Sequence, residues 1–408
     1  MITMKNKTVR RIAILTLTLL SISVLAGCGT ATSVPSKDQS QIAPLKIGVL
    51  TSLTGKGTDW GKKQKVALEM VEQETNASGG INGSPVKFVI YDTGGENQQA
   101  VILTRKLASE DKVLAILGPY FSGECEVAFP QGNELKIPII SATSAKPGIS
   151  AANRPWAFRN TMTDDKMIKV GLPIFLKKYP VQNTALVADL KDAVSTSFAN
   201  GTLPSAMKGI SGLSILNDGK SITYNTGDTD FSAQVTTLKQ LGPQALGIGG
   251  LYQEIASLAQ EMKRQGLSIP ALGNVGMYSD DLIKQGGDAV EGWVTLSNFW
   301  PTNPDLKVQN FNKQFSIVAL KNGLKDSSPD AFSVSMYDTA KITLEVIEKN
   351  KITPATPLEQ ARTEIKDGWA KVKDYKGVMG NSTIDGVGDG IMEVYALIVK
   401  NGKWQRLE

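Results

Sequence analysis

Two polar turns hold the residues of this chain best suited to chemistry. Gly118-Pro119 ends one apolar run and leads to Ser122, while Ser141 through Ala145 follows another and adds three hydroxyls with their backbone amides. Where such turns open helices, amides without intrahelical acceptors and the positive end of the helix dipole favour an anion. This is equipment for holding a carboxylate. The same residues fit a plainer role, with Ser122 and Thr143 as helix N-caps. Bond-breaking sets are scarce. The chain contains no histidine, which excludes Ser-His-Asp and Cys-His nucleophiles, a histidine base and a His-ligated zinc. Ser144 and Lys146 stand one residue too close for Ser-x-x-Lys, and no Lys-Thr-Gly element accompanies them. No phosphate loop occurs, and Gly247, Gly249 and Gly250 lack the third glycine of a dinucleotide fingerprint. The expectation is a binding protein, not an enzyme, with no cofactor.

Asp385-Gly386-Val387-Gly388-Asp389-Gly390 has the outline of a calcium loop. It puts Val387 at the third ligand position and Glu393 too early for the twelfth, so a glycine-rich turn between strands is expected and no metal is assigned.

The elements that position these turns alternate along the body. Short apolar runs at Leu45 to Thr51, Val86 to Asp92, Val113 to Leu117 and Pro138 to Ser141 read as strands, with helical patterns after Gly57 and over Asn97 to Ser109. The pattern restarts past residue 160. Strands are expected at Thr184 to Asp189, Ser214 to Asn217 and Ala245 to Ile248, interleaved with helices at Ser195 to Met207, Asp230 to Leu241 and Gln253 to Gln265. Strands apolar on both faces and followed by helices predict an α/β fold, a parallel sheet covered on both sides. Two such lobes follow one another. Val290 to Phe299 then meets Trp300, Pro301, Asn303 and Pro304, a breaker cluster able to return the chain to the first lobe. Helices over Asp305 to Lys321 and Pro329 to Asn350 follow, and Asn401-Gly402 sits between Ile391 to Val399 and Lys403 to Leu407 as a hairpin turn.

The first residues set the compartment. Lys5, Lys7, Arg10 and Arg11 precede the apolar run Ile12 to Leu25, the layout of a secretory signal, so residues 1–27 are expected to be removed. Leu25-Ala26-Gly27 before Cys28 resembles the lipobox of bacterial lipoproteins, which implies a lipid on the Cys28 sulfur and an extracytoplasmic chain held to a membrane. An uncleaved anchor helix would export the body equally, although the run is short for a span of about 20 apolar residues. Residues 28–44, rich in Ser, Thr, Gln and Pro, read as a tether. Most of the formal charge of +5 lies in the leader, and a nearly neutral body argues against nucleic acid as partner. With Cys28 lipidated, Cys125 has no partner for a disulfide and is expected as a buried small hydrophobe.

The body resembles the type I periplasmic binding proteins, in the branch of leucine/isoleucine/valine-binding proteins and their amide- and carboxylate-binding relatives. The segments that carry it are Lys46-Ile47-Gly48-Val49 with Gly55 and Trp60-Gly61; Gly79-Gly80-Ile81-Asn82-Gly83; Gly118-Pro119 with Ser122; Pro138-Ile139-Ile140-Ser141 through Pro147; Asp230-Phe231-Ser232-Ala233-Gln234; and Tyr337-Asp338. The resemblance implies two doubly wound lobes joined by three crossovers near residues 162, 299 and 376. Lobe 1 would then be 45–162 plus 300–376, and lobe 2 would be 163–299 plus 377–408. It further implies a monomeric substrate receptor that closes on a small amino acid, carboxylate or amide and hands it to the permease of an ABC importer. A sensory receptor of the same fold is the alternative.

The resemblance names Ser122, Thr143, Ser144 and Ala145 as the carboxylate set and Trp60 as an aromatic near the ligand. Tyr252 follows the Gly249-Gly250 turn and could form the opposite wall; Tyr120 is added for its place beside the anion turn. Each aromatic could instead pack within its own lobe. Asp338 is expected to cap or pair inside lobe 1. Leucine-binding relatives place an acid for the ligand's ammonium after a second-lobe strand, yet the stretch here is Leu272-Gly273-Asn274-Val275-Gly276-Met277. A buried ammonium without counter-charge is costly, so Asp280, Asp281 or Asp192 substitutes, or the ligand carries no ammonium.

Overall fold

The computed structural model describes residues 42–407. Cys28 and the leader lie outside them. Two sheets organise the body. The first is wholly parallel, in the order β2 (Val86–Asp92), β1 (Leu45–Thr51), β3 (Ile116–Leu117), β4 (Ile139–Ser141), β5 (Ala157–Arg159). Alternation along β1 divides its faces. Leu45, Ile47 and Val49 pack with Leu68, Met336, Ala340 and Trp369 from helices Thr58–Ala77, Ala331–Lys349 and Leu358–Trp369. Leu50 faces the other way, among Leu107, Cys125 and Phe129 from helices Asn97–Ser109 and Ser122–Leu135. Cys125 is fully buried there, and burial pushes its thiol up to about 12.

The second sheet repeats the winding. Its parallel part comprises β6 (Asn183–Asp189), β7 (Ser214–Ile215), β8 (Ile222–Tyr224), β9 (Ala245–Gly249), β10 (Ala271–Gly273) and β11 (Val294–Ser297). Strands β7 and β8 both pair with β6 on its outer edge, and β9, β10 and β11 follow on the inner side. In both sheets the winding reverses beside the first strand, at β1/β3 and at β6/β9. Crevices in open α/β sheets form at such points, outside the carboxyl ends of the strands.

A third, antiparallel sheet contains β12 (Tyr375–Gly377), β13 (Gly380–Ile384) and β14 (Gly390–Ile391), and an antiparallel pair, β15 (Tyr395–Lys400) and β16 (Lys403–Arg406), extends the second sheet from β11. Residues 377–391, expected with the second lobe, hydrogen-bond to the first sheet. Arg159 N donates to Gly388 O at 2.8 Å, Gly390 N donates to Thr161 O at 3.1 Å, and Ile384 enters the first core. The third crossover therefore falls at 392–394 and not near 376. Residues 160–163 and 298–305 are the other two connections. Asn298 ties all three together: its Oδ1 accepts from Met162 N (3.4 Å) and Thr161 Oγ1 (3.4 Å), and its Nδ2 donates to Glu393 O (2.9 Å).

The Asp385–Gly390 turn satisfies itself. Asp385 Oδ1 accepts from Val387 N and Asp389 N, Lys166 pairs with Asp385, and Arg159 pairs with Asp389. Among the described residues no helix is long and apolar enough to cross a membrane.

Asp338 lies within the first lobe as expected, and it holds the chain approaching the third sheet. Its oxygens accept from Val378 N (2.9 Å) and Met379 N (2.8 Å). Burial raises this carboxyl from 3.8 to about 6 despite those two amides. The folded state therefore holds the proton more tightly than the unfolded chain. The stability that comes with the protonated form is complete below about pH 4, declines as pH rises, and is gone above about pH 6. Two units correspond to about 3 kcal/mol. Asp338→Asn keeps an acceptor and removes the titration, so the urea midpoints of variant and wild type should converge at pH 4 and separate in the variant's favour by pH 7. Parallel curves would show that Asp338 is not the source.

Candidate functional site

The two polar turns meet at the carboxyl ends of β3 and β4. Gly118 adopts φ +100°, and a Cβ there would stand 2.1 Å from Leu50 O, so only glycine lets the chain turn this close to β1. Ser122 occupies the first position of helix Ser122–Leu135, whose cap is Phe121; Phe121 N donates to Glu124 Oε2 at 2.8 Å. Ser122 is thus no N-cap. Its Oγ lies 3.0 Å from Ser144 Oγ and accepts from Lys146 N at 3.3 Å. Thr143 is no cap either, because its hydroxyl donates to Tyr120 O at 2.6 Å and so clasps one turn to the other. Ser141 Oγ reinforces the clasp by donating to Pro119 O and accepting from the amides of Thr143 and Ser144. No acceptor is found for Ala145 N among the described residues. Lys146 directs its ammonium to Glu126, so it is not paired with Ser144.

An aromatic box stands over these turns. Trp60 belongs to helix Thr58–Ala77, which approaches β1 so closely that a Cβ on Gly61 would lie 1.8 Å from Ser52 O. The indole stacks on Tyr120, with centroids 5.6 Å apart and planes 9° from parallel, and meets Tyr252 edge-on at 4.9 Å. Tyr252 begins helix Tyr252–Arg264 of the second lobe, and its hydroxyl donates to Asp59 Oδ2 at 3.3 Å. Trp60, Tyr120 and Tyr252 are all buried, as are Ser122, Thr143, Ser144 and Ala145. The box has a fourth wall that sequence reading missed. Phe332, at the start of helix Ala331–Lys349, packs against Trp60 at 5.1 Å and Tyr120 at 5.5 Å. A lone phenylalanine after a helix cap carries no signal of its own.

Polar atoms without partners gather around the same elements. Trp60 Nε1 and Tyr120 Oη on the first-lobe side, and on the second Tyr224 Oη at the end of β8, Asn274 Nδ2 just after β10 and Glu254 Oε2 in the first turn of helix Tyr252–Arg264, are buried and lack hydrogen-bond partners among the described residues. Buried polar groups in folded proteins are nearly always paired. These five atoms are therefore free to meet a partner from outside the chain. Burial holds the Tyr120 and Tyr224 phenols well above their ordinary range, so both stand as neutral donors.

The three acids considered as ammonium partners separate. Asp281 pairs with Lys284 at 2.9 Å. Asp280 faces the Lys63, Asp326 and Asp330 cluster, and burial raises its carboxyl. In that cluster Lys63 lies 3.0 Å from Asp326 and 3.9 Å from Asp330; burial alone would lower the amine, but the two acids together raise it. Asp192 caps helix Ala193–Ser197, accepting from Ser195 N and Oγ, both through Oδ1; its charge bears on the Tyr120 phenol, as that of Asp281 does on Tyr252.

Residues 44–403 match the family model described as "Periplasmic binding protein". The chain is 26% identical over 378 residues to "Leu/Ile/Val-binding protein homolog 2" of Brucella abortus (strain 2308), covering 90% of this chain and 92% of the relative. A leucine-binding protein from Thermotoga maritima MSB8 superposes with a TM-score of 0.77 at 25% identity, over 89% of this chain and 97% of the other. A solute-binding protein from Rhodopseudomonas palustris BisB5, solved with 3,4-dihydroxybenzoic acid, gives 0.74 at 18% identity over 90% and 96%. With the match spanning both sheets and every crossover, the chain belongs to the periplasmic binding protein family.

Proposed function

We propose that this chain is the extracytoplasmic receptor of an ABC importer, anchored by a lipid on Cys28, and that it closes two lobes over a small amino acid or related carboxylate. Ser122, Ser144 and the Ala145 amide receive the carboxylate, with Thr143 and Ser141 fixing their turn. Trp60, Tyr120, Tyr252 and Phe332 enclose the rest of the ligand. The observation that carries the reading is the meeting of the Ser122 and Ser144 hydroxyls 3.0 Å apart under a box of buried aromatics with unpartnered polar atoms. The relatives support the ligand class, since those named above include leucine-type and aromatic-acid binders.

Discrimination follows from closure, because a wrong molecule leaves desolvated donors and acceptors unpaired. The lobes already meet through Tyr252 and Asp59, and through Lys284 and Asp326 at 3.5 Å. No bond is made or broken. Thermal-shift screening of the purified chain against amino acids, 2-oxo acids, aromatic acids and amides tests this. A ligand at 100 times its Kd adds about 2.7 kcal/mol and moves the melting point by several degrees. No shift with any acid, or turnover of an ester or amide, would overturn it.

A further inference from the structure

Helix Leu306–Lys321 buries Val308, Phe311, Phe315 and Ala319 in the core and leaves Leu306, Ile317 and Leu320 exposed by 77%, 61% and 61%. With about 3.6 residues per turn, those three share one stripe with Lys313 and Lys321. No other helix or strand among the described residues exposes three large apolar side chains, and this helix contains no acid. Its neighbours extend the charge. Lys62 and Lys65 are exposed on helix Thr58–Ala77, which Asn322 joins by donating to Glu69 Oε2 at 2.9 Å. Lys325, exposed in the turn after Asn322, lines one groove with Lys62 and with Lys284 of the second lobe. None of Lys62, Lys65, Lys313, Lys321 and Lys325 forms an ion pair among the described residues. The bordering acids are engaged elsewhere: Asp305 caps the helix, Asp326 holds Lys63 and Lys284, and Asp59 accepts from Tyr252.

Aliphatic side chains standing in water beside unpaired lysines suit a surface with an apolar interior and a negative skin. An acyl layer takes Leu306, Ile317 and Leu320, while headgroup phosphates take the ammonium groups, whose stems lie along the same boundary. A second copy of this chain fits worse, because a two-fold contact through this face brings two sets of five unpaired lysines together. A body tied by a lipid on Cys28 also stays close to such a surface, since residues 29–41 reach at most about 45 Å.

We propose that the stripe Leu306, Lys313, Ile317, Leu320 and Lys321, with Lys62, Lys65 and Lys325, is a membrane-docking face that lays the body on an anionic phospholipid surface. The anchor of the reading above keeps that surface near, and the face binds it without the anchor.

Cosedimentation of the chain from residue 28 with Cys28→Ser, which carries no lipid, tests it. Vesicles of mixed phosphatidylglycerol and phosphatidylcholine are compared with phosphatidylcholine alone. The anionic vesicles should bind at least about tenfold more tightly, and about 0.5 M salt should remove most of that gain. Lys313→Glu with Lys321→Glu should weaken this binding by at least about tenfold, and Ile317→Ser with Leu320→Ser by about tenfold. Lys208→Glu with Lys220→Glu, the same change of net charge at exposed positions of the second lobe, should leave it within about threefold. No preference for anionic vesicles, or an equal loss in the second-lobe pair, overturns the inference and leaves the receptor reading standing. A dimer seen by light scattering and abolished by Ile317→Ser with Leu320→Ser would give the face to a second copy and overturn it too. The charge pair and the apolar pair are both exposed, so either decides if the other does not fold.

Discussion

Replacing Arg159 with Ala should remove about 3–5 kcal/mol of stability, the largest loss expected from any single polar substitution here. The guanidinium is fully buried and holds four things at once. Nε donates to Ser150 Oγ and Asp389 Oδ1, each at 2.9 Å, and NH1 donates to the carbonyls of Ser144 and Lys146. Truncation leaves a desolvated carboxylate in the Asp385–Gly390 turn and two unpaired carbonyls, of Ser144 and Lys146, beside the Ser141–Ala145 turn. Lysine cannot replace the planar fork, so Arg159→Lys should recover only part of the loss. Urea midpoints measure the stability, and calorimetry on the folded fraction should show weakened ligand binding because Ser144 loses its support. A double change, Arg159→Met with Asp389→Leu, should be milder than Arg159→Ala, since no buried charge is then left alone. An Arg159→Ala midpoint within about 1 kcal/mol of wild type would show that water replaces the guanidinium.

What the sequence made legible follows a physical line. Strands β1, β6 and β9 are buried on both faces, so continuous apolar runs with β-branched residues announced them, and breaker clusters marked the return near residue 299. Ser122 and Ser144 were legible because strand ends followed by small polar residues are local signals. Strands β12 to β14 were not. They are short and built largely from residues such as Lys376, Asn381 and Ser382, and their place is set by pairing to Arg159 and Thr161, far away in sequence. Phe332 shares that difficulty, since it is a core-type residue that only long-range packing places against Trp60.

Trp60→Ala should weaken ligand binding by about 100-fold or more, because the indole is the common wall of the whole box. It touches Tyr120 and Phe332 on its own lobe and Tyr252 on the other, so its removal opens a cavity in whichever lobe arrangement encloses ligand. Tyr252 then loses its edge contact and keeps only the bond to Asp59, which weakens closure as well as the pocket. Trp60→Phe keeps a ring for Tyr120 and Tyr252 but removes Nε1, a buried donor with no partner of its own. That variant should lose about tenfold if the ligand accepts from the indole. Because the affinity change would come from a fluorophore at the site, ligand-induced quenching of tryptophan emission should also disappear in both variants, although five other tryptophans remain among the six. Affinity within threefold of wild type in Trp60→Ala would mean that the ring packs only for its own lobe, and the ligand would then have to sit away from the Ser122–Ser144 turn.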